Sequence, residues 1–188
     1  MDRRKALMNL GILTGGMVLL PSCDFTKEQV SLSLNKLRIT ASEEALMKEL
    51  VSCIIPESDI PGAASLHVHD FVWIMVDDCM SEENQSMFLN GLKGFDSHIK
   101  KTTGNSFSSL DQKEREAVLN MIINEPKDGS GPALSDLKLF VSTTKQFTSF
   151  GYLKSEYIMT EVMPYKLIPG TYGSCEIIDN SKRVNING

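Results

Sequence analysis

The spacing of the apolar residues after Ser42 is the feature that most constrains the fold of this chain. Leu46, Leu50 and Ile54 lie four residues apart, and further apolar residues lie beside them. An α-helix has about 3.6 residues per turn, so this spacing places the three side chains in one stripe on one helical face. We expect Ser42 to cap this helix and Pro56 to end it.

The same period recurs along the rest of the chain, interrupted by short breaks rich in Pro, Gly and Ser. Further helices are predicted over residues 65–79, over 82–101, from Ser109 to the break at 125–132, over 133–148 and over 155–162. The tail from Met163 contains several Pro and Gly residues and should be irregular. With 41% apolar and 23% charged residues, the composition is typical of a globular protein. The sequence therefore predicts an all-α fold, a single compact domain of five or six helices with an irregular C-terminal tail.

The first residues show the pattern of an export signal. Arg3 and Arg4 precede an apolar stretch over residues 6–20, and a small-residue end leads to Cys23. The stretch is shorter than the about 20 residues that a membrane-spanning helix needs. The arginine pair resembles a twin-arginine signal, and the four residues that end at Cys23 resemble a lipobox, whose cysteine becomes lipidated. The alternatives are a general secretory signal, an ordinary thiol at Cys23 and a strained permanent anchor.

This pattern divides the chain into three parts. We predict an export signal over residues 1–22, a tether over 23–41 and a helical domain over 42–188. The formal net charge is −5, and it becomes −7 without residues 1–22, because three basic residues and one acidic residue are removed. Contacts with nucleic acid need clustered positive charge, so we expect no nucleic-acid partner. The expected location is the periplasmic side of a membrane, to which a lipid on Cys23 anchors the protein.

The other cysteines allow one disulfide bond and leave one thiol over in an exported protein. Cys53 and Cys79 both lie in apolar helical segments, which leaves open a bridge between two helices or two buried thiols. The third is Cys175. The sequence contains no Cys-x-x-Cys motif, so neither thiol redox catalysis nor a cysteine-based zinc site is expected. It contains no Cys-x-x-Cys-His either, so no c-type haem is expected.

Residue types that carry chemistry form no recognisable active site in this sequence. There is no Gly-x-Ser-x-Gly elbow, no Walker phosphate loop and no Gly-x-Gly-x-x-Gly motif. His67, His69 and Asp70 are the one tempting metal-ligand cluster. His67 and His69 would point about 200° apart on a helix, so we interpret the cluster as a polar helix start. We therefore predict no catalytic, cofactor-binding or metal-binding residue in this chain.

Two segments of the sequence resemble the gluconate 2-dehydrogenase subunit 3 family. The first reads Ile-Ile-Pro-Glu-Ser-Asp-Ile-Pro-Gly-Ala from Ile54 to Ala63 and is followed by His69, Phe71, Asp77 and Asp78. The second combines Phe150-Gly151-Tyr152 and Ser155-Glu156 with Pro164-Tyr165, Pro169-Gly170, Tyr172 and Cys175. The resemblance extends over roughly residues 42–178.

The resemblance implies a small, non-catalytic subunit of a membrane-associated sugar or sugar-acid dehydrogenase. The implied partner is an FAD-dependent flavoprotein of the glucose-methanol-choline oxidoreductase type, often accompanied by a cytochrome c subunit. FAD would be bound by that partner, and the signal of this chain would export both proteins. Two other hypotheses are a stand-alone periplasmic lipoprotein that binds a ligand or another protein, and an enzyme that acts alone.

The loop after the first helix carries the four residues that this resemblance makes most interesting. They are Pro56, Asp59, Pro61 and Gly62. The two prolines restrict the backbone, and Asp59 is expected to accept hydrogen bonds from nearby N–H groups in an Asx-type turn. Such a rigid loop either caps the first helix or contacts the partner, and the sequence leaves both roles open.

Overall fold

The computed structural model describes residues 32–125 and 132–163. Within these ranges lie five α-helices: α1 (Ala41–Ile54), α2 (Val68–Cys79), α3 (Glu82–Thr103), α4 (Gln112–Asn124) and α5 (Pro132–Leu153). A 3₁₀ turn (Phe107–Ser109) precedes α4, and a π-helical turn (Ile158–Val162) follows α5. The described residues form no β-strand, which confirms the predicted all-α fold. The predicted sites at Arg3, Arg4, Cys23 and Cys175 lie outside the described residues, as does the tail from residue 164.

The residue that caps the start of α1 differs from the predicted one. Thr40, and not Ser42, is the N-cap, because its Oγ1 accepts the backbone N–H of Glu43 at 3.2 Å. The Glu43 carboxylate in turn accepts the N–H of Thr40 at 2.8 Å. This reciprocal pair is a capping box, which satisfies two backbone donors, whereas the side chain of a serine cap alone satisfies one.

The start of α4 is corrected for the same reason. Asp111 caps the helix by accepting the N–H of Glu114 at 2.8 Å, and the Glu114 carboxylate accepts the N–H of Asp111 at 3.0 Å. Ser109, the predicted start, lies in the 3₁₀ turn instead. The reciprocal Asp–Glu pair therefore determines where the helix begins.

Three further helix boundaries differ from the predicted ones, because contacts between segments distant in sequence outweigh the local sequence pattern. Helix α2 begins at Val68 rather than at Ser65, and the sixth predicted helix is only the π-helical turn. Helix α5 continues to Leu153, because its last turn packs against α2: a Cβ on Gly151 would lie 2.5 Å from the Phe71 ring. Among the described helices, none has the length and apolar character needed to cross a membrane.

The core lies around α3 and α5, the pair of helices with the most extensive mutual contact. Their close approach depends on Gly91, where a Cβ would lie 2.3 Å from the carbonyl oxygen of Asp136. Five aromatic rings fill the adjacent space through tilted or edge-to-face contacts, with centroids 4.9 to 6.1 Å apart. They belong to Trp73, Phe88, Phe95, Phe107 and Phe140.

The segment over residues 32–40, predicted as the end of a tether, lies against the helical domain. The Asp77 carboxylate is 1% exposed and accepts backbone N–H groups from Asn35 at 2.6 Å, Lys36 at 3.0 Å and Leu37 at 2.7 Å. Leu37 is buried in the core beside it. The side-chain amide of Gln85 donates to the Asp77 carbonyl at 2.7 Å, which also fixes the end of α2.

Candidate functional site

The loop between α1 and α2 joins three helices. Gly62 lies against the end of α1, where a Cβ would be 2.7 Å from the carbonyl carbon of Pro56, so a larger residue would force the loop outward. The carbonyl of Pro61 accepts a hydrogen bond from the Tyr152 hydroxyl at 2.9 Å, and Tyr152 belongs to the last turn of α5. Pro61 and Gly62 therefore have a structural role, which brings the ends of α1 and α5 to the start of α2.

The other two loop residues that the sequence singled out lie on the surface. Asp59 is exposed and accepts no hydrogen bond from the described part of the chain, so the predicted Asx-type turn is wrong. Ser58 takes that role: its N–H donates to the Ile60 carbonyl at 3.2 Å, and its Oγ accepts the Ile60 N–H at 3.4 Å. Pro56 and Asp59 remain predicted partner contacts because both are exposed.

Glu57 connects this loop to the turn that precedes α2. Its carboxylate accepts a hydrogen bond from the Ser65 hydroxyl at 2.6 Å. That bond and the backbone N–H of Gly62 hold the pKa of Glu57 below its usual value. The turn from Gly62 to Ser65 is thus fixed at both ends before the helix begins.

The turn brings His67 and His69 together, which the helical spacing did not predict. The Val68 N–H donates to the Ala63 carbonyl at 3.0 Å, so α2 starts only at Val68. His67 precedes the helix and has the left-handed backbone conformation, with φ of 54°. Because His67 lies outside the helix, the expected separation of about 200° does not apply. The two imidazole rings stack with their centroids 5.6 Å apart.

The Asp70 carboxylate approaches one nitrogen of each ring. One carboxylate oxygen, Oδ2, is 3.4 Å from Nδ1 of His67, and the other, Oδ1, is 3.5 Å from Nε2 of His69. One ligand atom from each of the three residues can be chosen so that all lie within 4.8 Å of one another. In the described residues this is the one group of three or more His, Cys, Asp or Glu side chains found with such spacing.

The two histidines differ in exposure. The side chain of His67 is 75% exposed, whereas His69 is 5% exposed. Burial lowers the pKa of His69, and the nearby Asp70 carboxylate offsets only part of that effect. The His69 imidazole is therefore neutral at pH 7, with a free lone pair on one nitrogen.

A surface cavity of about 440 Å³ opens beside His67. Its lining comes from the turn before α2 and from residues 155–161, which lead into the π-helical turn. It includes Ser65, Tyr157, Glu156 and Glu161. π-Helical turns frequently occur at functional sites because they displace side chains from the regular helical pattern. Here Glu161 of the π-helical turn and Glu156, which precedes that turn, line the same cavity as the exposed His67 imidazole.

An apolar surface patch lies along α2 and α5. The rings of Phe71 and Phe150 contact each other with centroids 5.9 Å apart. Ile74 follows Phe71 by about one turn, Leu153 follows Phe150 in the same way, and both are exposed. Phe150 is 50% exposed. We call Phe71, Ile74, Phe150 and Leu153 the α2–α5 patch.

The two described cysteines are free thiols, so the candidate bridge between them is not formed. Cys53 is buried, but Cys79 is exposed at the end of α2, and the prediction of two buried thiols is also wrong for Cys79. Cys53 borders a cavity of about 220 Å³ between α1, α4 and α5. Burial and the nearby Glu116 carboxylate raise the pKa of Cys53 to about 11, which makes this thiol unreactive at neutral pH.

Comparison with known proteins gives one match. The family model described as Gluconate 2-dehydrogenase subunit 3 matches residues 41–170, more than half of the chain. The match begins at the first residue of α1 and contains all five helices and the loop before α2. Neither the curated proteins nor the solved structures include a significant match.

Proposed function

This chain belongs to the gluconate 2-dehydrogenase subunit 3 family, and we propose on that basis that it is the accessory subunit of a dehydrogenase that oxidises a sugar or sugar acid. The family match over residues 41–170 is the observation that carries the proposal. The family's name describes its members as one subunit of a gluconate dehydrogenase, which implies that a dehydrogenase subunit is the partner.

The partner in this proposal is an FAD-dependent flavoprotein of the glucose-methanol-choline type, which binds the FAD and carries out the oxidation. A cytochrome c subunit would accept the electrons. The absence of a Gly-x-Gly-x-x-Gly motif from the sequence supports the assignment of the cofactor to the partner.

The N-terminal segment gives the accessory subunit a second task in this proposal. The twin-arginine-like signal at Arg3 and Arg4 exports the flavoprotein together with this chain, and a lipid on Cys23 holds the complex at the periplasmic side of the membrane. The chain between Cys23 and Asn35 can span at most about 40 Å. Since Asp77 fixes Asn35 to the domain, the complex would stay within that distance of the membrane surface.

The α2–α5 patch is the proposed contact with the flavoprotein. Four large apolar side chains on adjacent helices form a surface of the kind that partners cover in protein complexes. Pro56 and Asp59 are exposed and lie in the same loop as Pro61. The Pro61 carbonyl accepts a hydrogen bond from Tyr152, which is two residues after Phe150 of the patch. We therefore place Pro56 and Asp59 at the polar rim of the contact.

Co-purification tests the contact. A tagged Phe150→Glu variant should fail to retain a flavoprotein from the native membrane fraction, because a charge at the centre of an apolar contact has no partner. Met121→Glu is the matched control, since Met121 is a similarly exposed apolar residue, at 48%, on the separate helix α4. Flavin absorbance and sugar-dependent dye reduction in the eluate provide the readout. Retention by both variants would refute the placement, and a wild-type eluate without flavoprotein would favour the stand-alone lipoprotein.

Replacement of the arginine pair tests the export function separately. Arg3→Lys combined with Arg4→Lys should leave the flavoprotein in the cytoplasm, because the twin-arginine pathway depends on the pair, whereas a general secretory signal tolerates lysine. Dehydrogenase activity in the periplasmic and cytoplasmic fractions measures the outcome. Unchanged periplasmic activity would show that this chain does not export its partner through that pathway.

A further inference from the structure

We infer that His67, His69 and Asp70 bind a divalent transition-metal ion such as Zn²⁺ at the start of α2. The inference does not rest on the proposed contact with a flavoprotein, because none of the three residues belongs to the α2–α5 patch. Three observations carry the inference: the distances among the ligand atoms, the absence of competing partners, and the rigidity of the backbone.

The distances fit a metal coordination sphere better than they fit hydrogen bonds. Hydrogen bonds from N–H to oxygen are commonly about 2.7 to 3.2 Å long. The separations from Asp70 to His67 and His69 are 3.4 and 3.5 Å. Ligands bound tetrahedrally to Zn²⁺ at about 2.0 to 2.1 Å lie about 3.3 to 3.4 Å from one another. Each imidazole is thus about as far from one oxygen of Asp70 as two ligands of one ion would be. One ligand atom from each of the three residues lies within 4.8 Å of the others, so an ion would draw the exposed His67 ring closer.

The buried atoms of the cluster lack other partners. In the described residues, neither Oδ1 of Asp70 nor Nδ1 of His69 has a hydrogen-bond partner, although both atoms are buried. Buried polar atoms are nearly always paired. His69 is 5% exposed with its Nε2 directed at Asp70, so its ring is held in the cluster without a protein hydrogen bond that would occupy its nitrogens. A cation bound by Nε2 of His69 would satisfy Oδ1 of Asp70, whereas Nδ1 of His69 lies on the other side of the ring and would carry the proton of the neutral imidazole.

The backbone holds His67 in place before any ion arrives. Its left-handed conformation is uncommon for a residue other than Gly, although His adopts it more often than most, and the turn is fixed on both sides of it. The Val68 N–H is bonded to Ala63, and the Asp70 N–H is bonded to the His67 carbonyl at 3.1 Å. A metal ion would therefore order only the exposed His67 ring.

The ligand types determine the class of ion. Two imidazoles with one carboxylate favour Zn²⁺ and its neighbours in the first transition row over Mg²⁺ or Ca²⁺, which prefer oxygen ligands. Three protein ligands leave a coordination position open, and the exposed side of His67 faces the cavity that Glu156 and Glu161 line. Water or one of these carboxylates would complete the coordination.

Binding of Co²⁺ and Zn²⁺ to the purified full chain, after chelator treatment and dialysis, tests the inference. We expect one Co²⁺ per chain with visible absorption typical of four or five ligands, and its displacement by Zn²⁺. His67→Ala and Asp70→Asn should each weaken binding by at least about tenfold. His98→Ala should bind like wild type, because His98 is outside the cluster and is the one remaining histidine of the chain.

Several outcomes would overturn the inference. No Co²⁺ binding by wild type at about 100 μM would show that the cluster is only a polar helix start. Equal binding by wild type and His67→Ala would place the ion elsewhere, and thiolate charge-transfer absorption would assign it to cysteine. Because the His67 side chain is largely exposed, His67→Ala should fold normally, and its circular dichroism spectrum and melting curve check this. A Zn²⁺-dependent rise in melting temperature for wild type and not for His67→Ala would support the site independently.

Discussion

Removal of the Asp77 carboxylate should release the segment over residues 32–40 from the helical domain. This carboxylate is the acceptor for three consecutive backbone N–H groups, those of Asn35, Lys36 and Leu37. Asp77 lies near the C-terminal end of α2, where a negative charge is unfavourable because of the helix dipole. The hydrogen bonds to the segment must therefore outweigh that effect.

The expected loss of stability in Asp77→Ala is about 3 kcal/mol. The N–H of Leu37 is buried, and a buried hydrogen bond to a charged group contributes about 1.5 to 3 kcal/mol. Asn35 and Lys36 are exposed and can donate to water in the variant, so each adds only about 0.5 kcal/mol. For a chain of this size, 3 kcal/mol corresponds to a fall in melting temperature of about 6 to 12 °C.

Asp78→Ala provides the matched control. Asp78 is the next residue, is exposed, and accepts one exposed hydrogen bond from the side-chain amide of Asn35 at 3.2 Å. Its removal should change the free energy of unfolding by less than about 0.5 kcal/mol. Urea denaturation gives both values, and trypsin should cleave after Lys36 or Arg38 faster in Asp77→Ala alone. Equal stability of the two variants would refute the role assigned to Asp77.

The pH dependence gives a second measurement of the same contribution. Burial alone raises the pKa of Asp77, but the backbone N–H groups of Leu37, Asn35 and Lys36 outweigh burial and hold the pKa below its usual 3.8. A lowered folded-state pKa stabilises the protein above the unfolded-state pKa, and this stabilisation is lost as the pH falls through the folded-state value. The difference in stability between wild type and Asp77→Ala should be constant above about pH 5 and should shrink below about pH 4.

Two further predictions concern the core and the thiols. Gly91→Ala should destabilise the protein by about 2 to 3 kcal/mol because its methyl group would meet α5. Gly94→Ala has open space around it and should stabilise α3 by about 0.5 to 1 kcal/mol. Urea denaturation measures both free energies of unfolding, and equal destabilisation by the two variants would contradict the packing of α3 on α5. Iodoacetamide at pH 8 should label Cys79 rapidly and leave Cys53 unlabelled until the protein is denatured. The pKa of about 11 leaves only about one Cys53 thiol in a thousand ionised at that pH. Mass spectrometry of the peptides locates the label, and rapid labelling of Cys53 in the native protein would disprove its burial.

Sequence patterns were sufficient for most of the helices but not for their ends. The apolar stripe of α1 and the run of apolar residues in α2 predicted both helices, because a helical period depends on residues within a few positions of one another. The true caps, Thr40 and Asp111, were also present in the sequence as capping boxes with Glu43 and Glu114. These caps were missed because nearby serines are also acceptable N-caps: Ser42 precedes two glutamates, and Ser109 has Gln112 at the capping-box position.

The candidate metal site was missed for a different reason. The sequence showed His67, His69 and Asp70, but the assumption that the helix already began at Ser65 placed the two imidazoles on different faces. The position of the helix start depends on the loop that Gly62 and the distant Tyr152 hold against α1. A signal was present in the Pro-Gly pair that precedes α2, since the break it causes can extend several residues further.

The sequence by itself determined the helical class, the order of the helices, the break between α1 and α2 and the family, because these depend on local periodicity and short motifs. Only the tertiary structure decided that His67 precedes the helix and faces Asp70 together with His69. It also decided that Asp77 holds residues 35–37, about forty positions earlier in the chain. Both arrangements depend on contacts between segments distant in sequence, and such contacts form only when the helices pack and exclude water from the atoms between them.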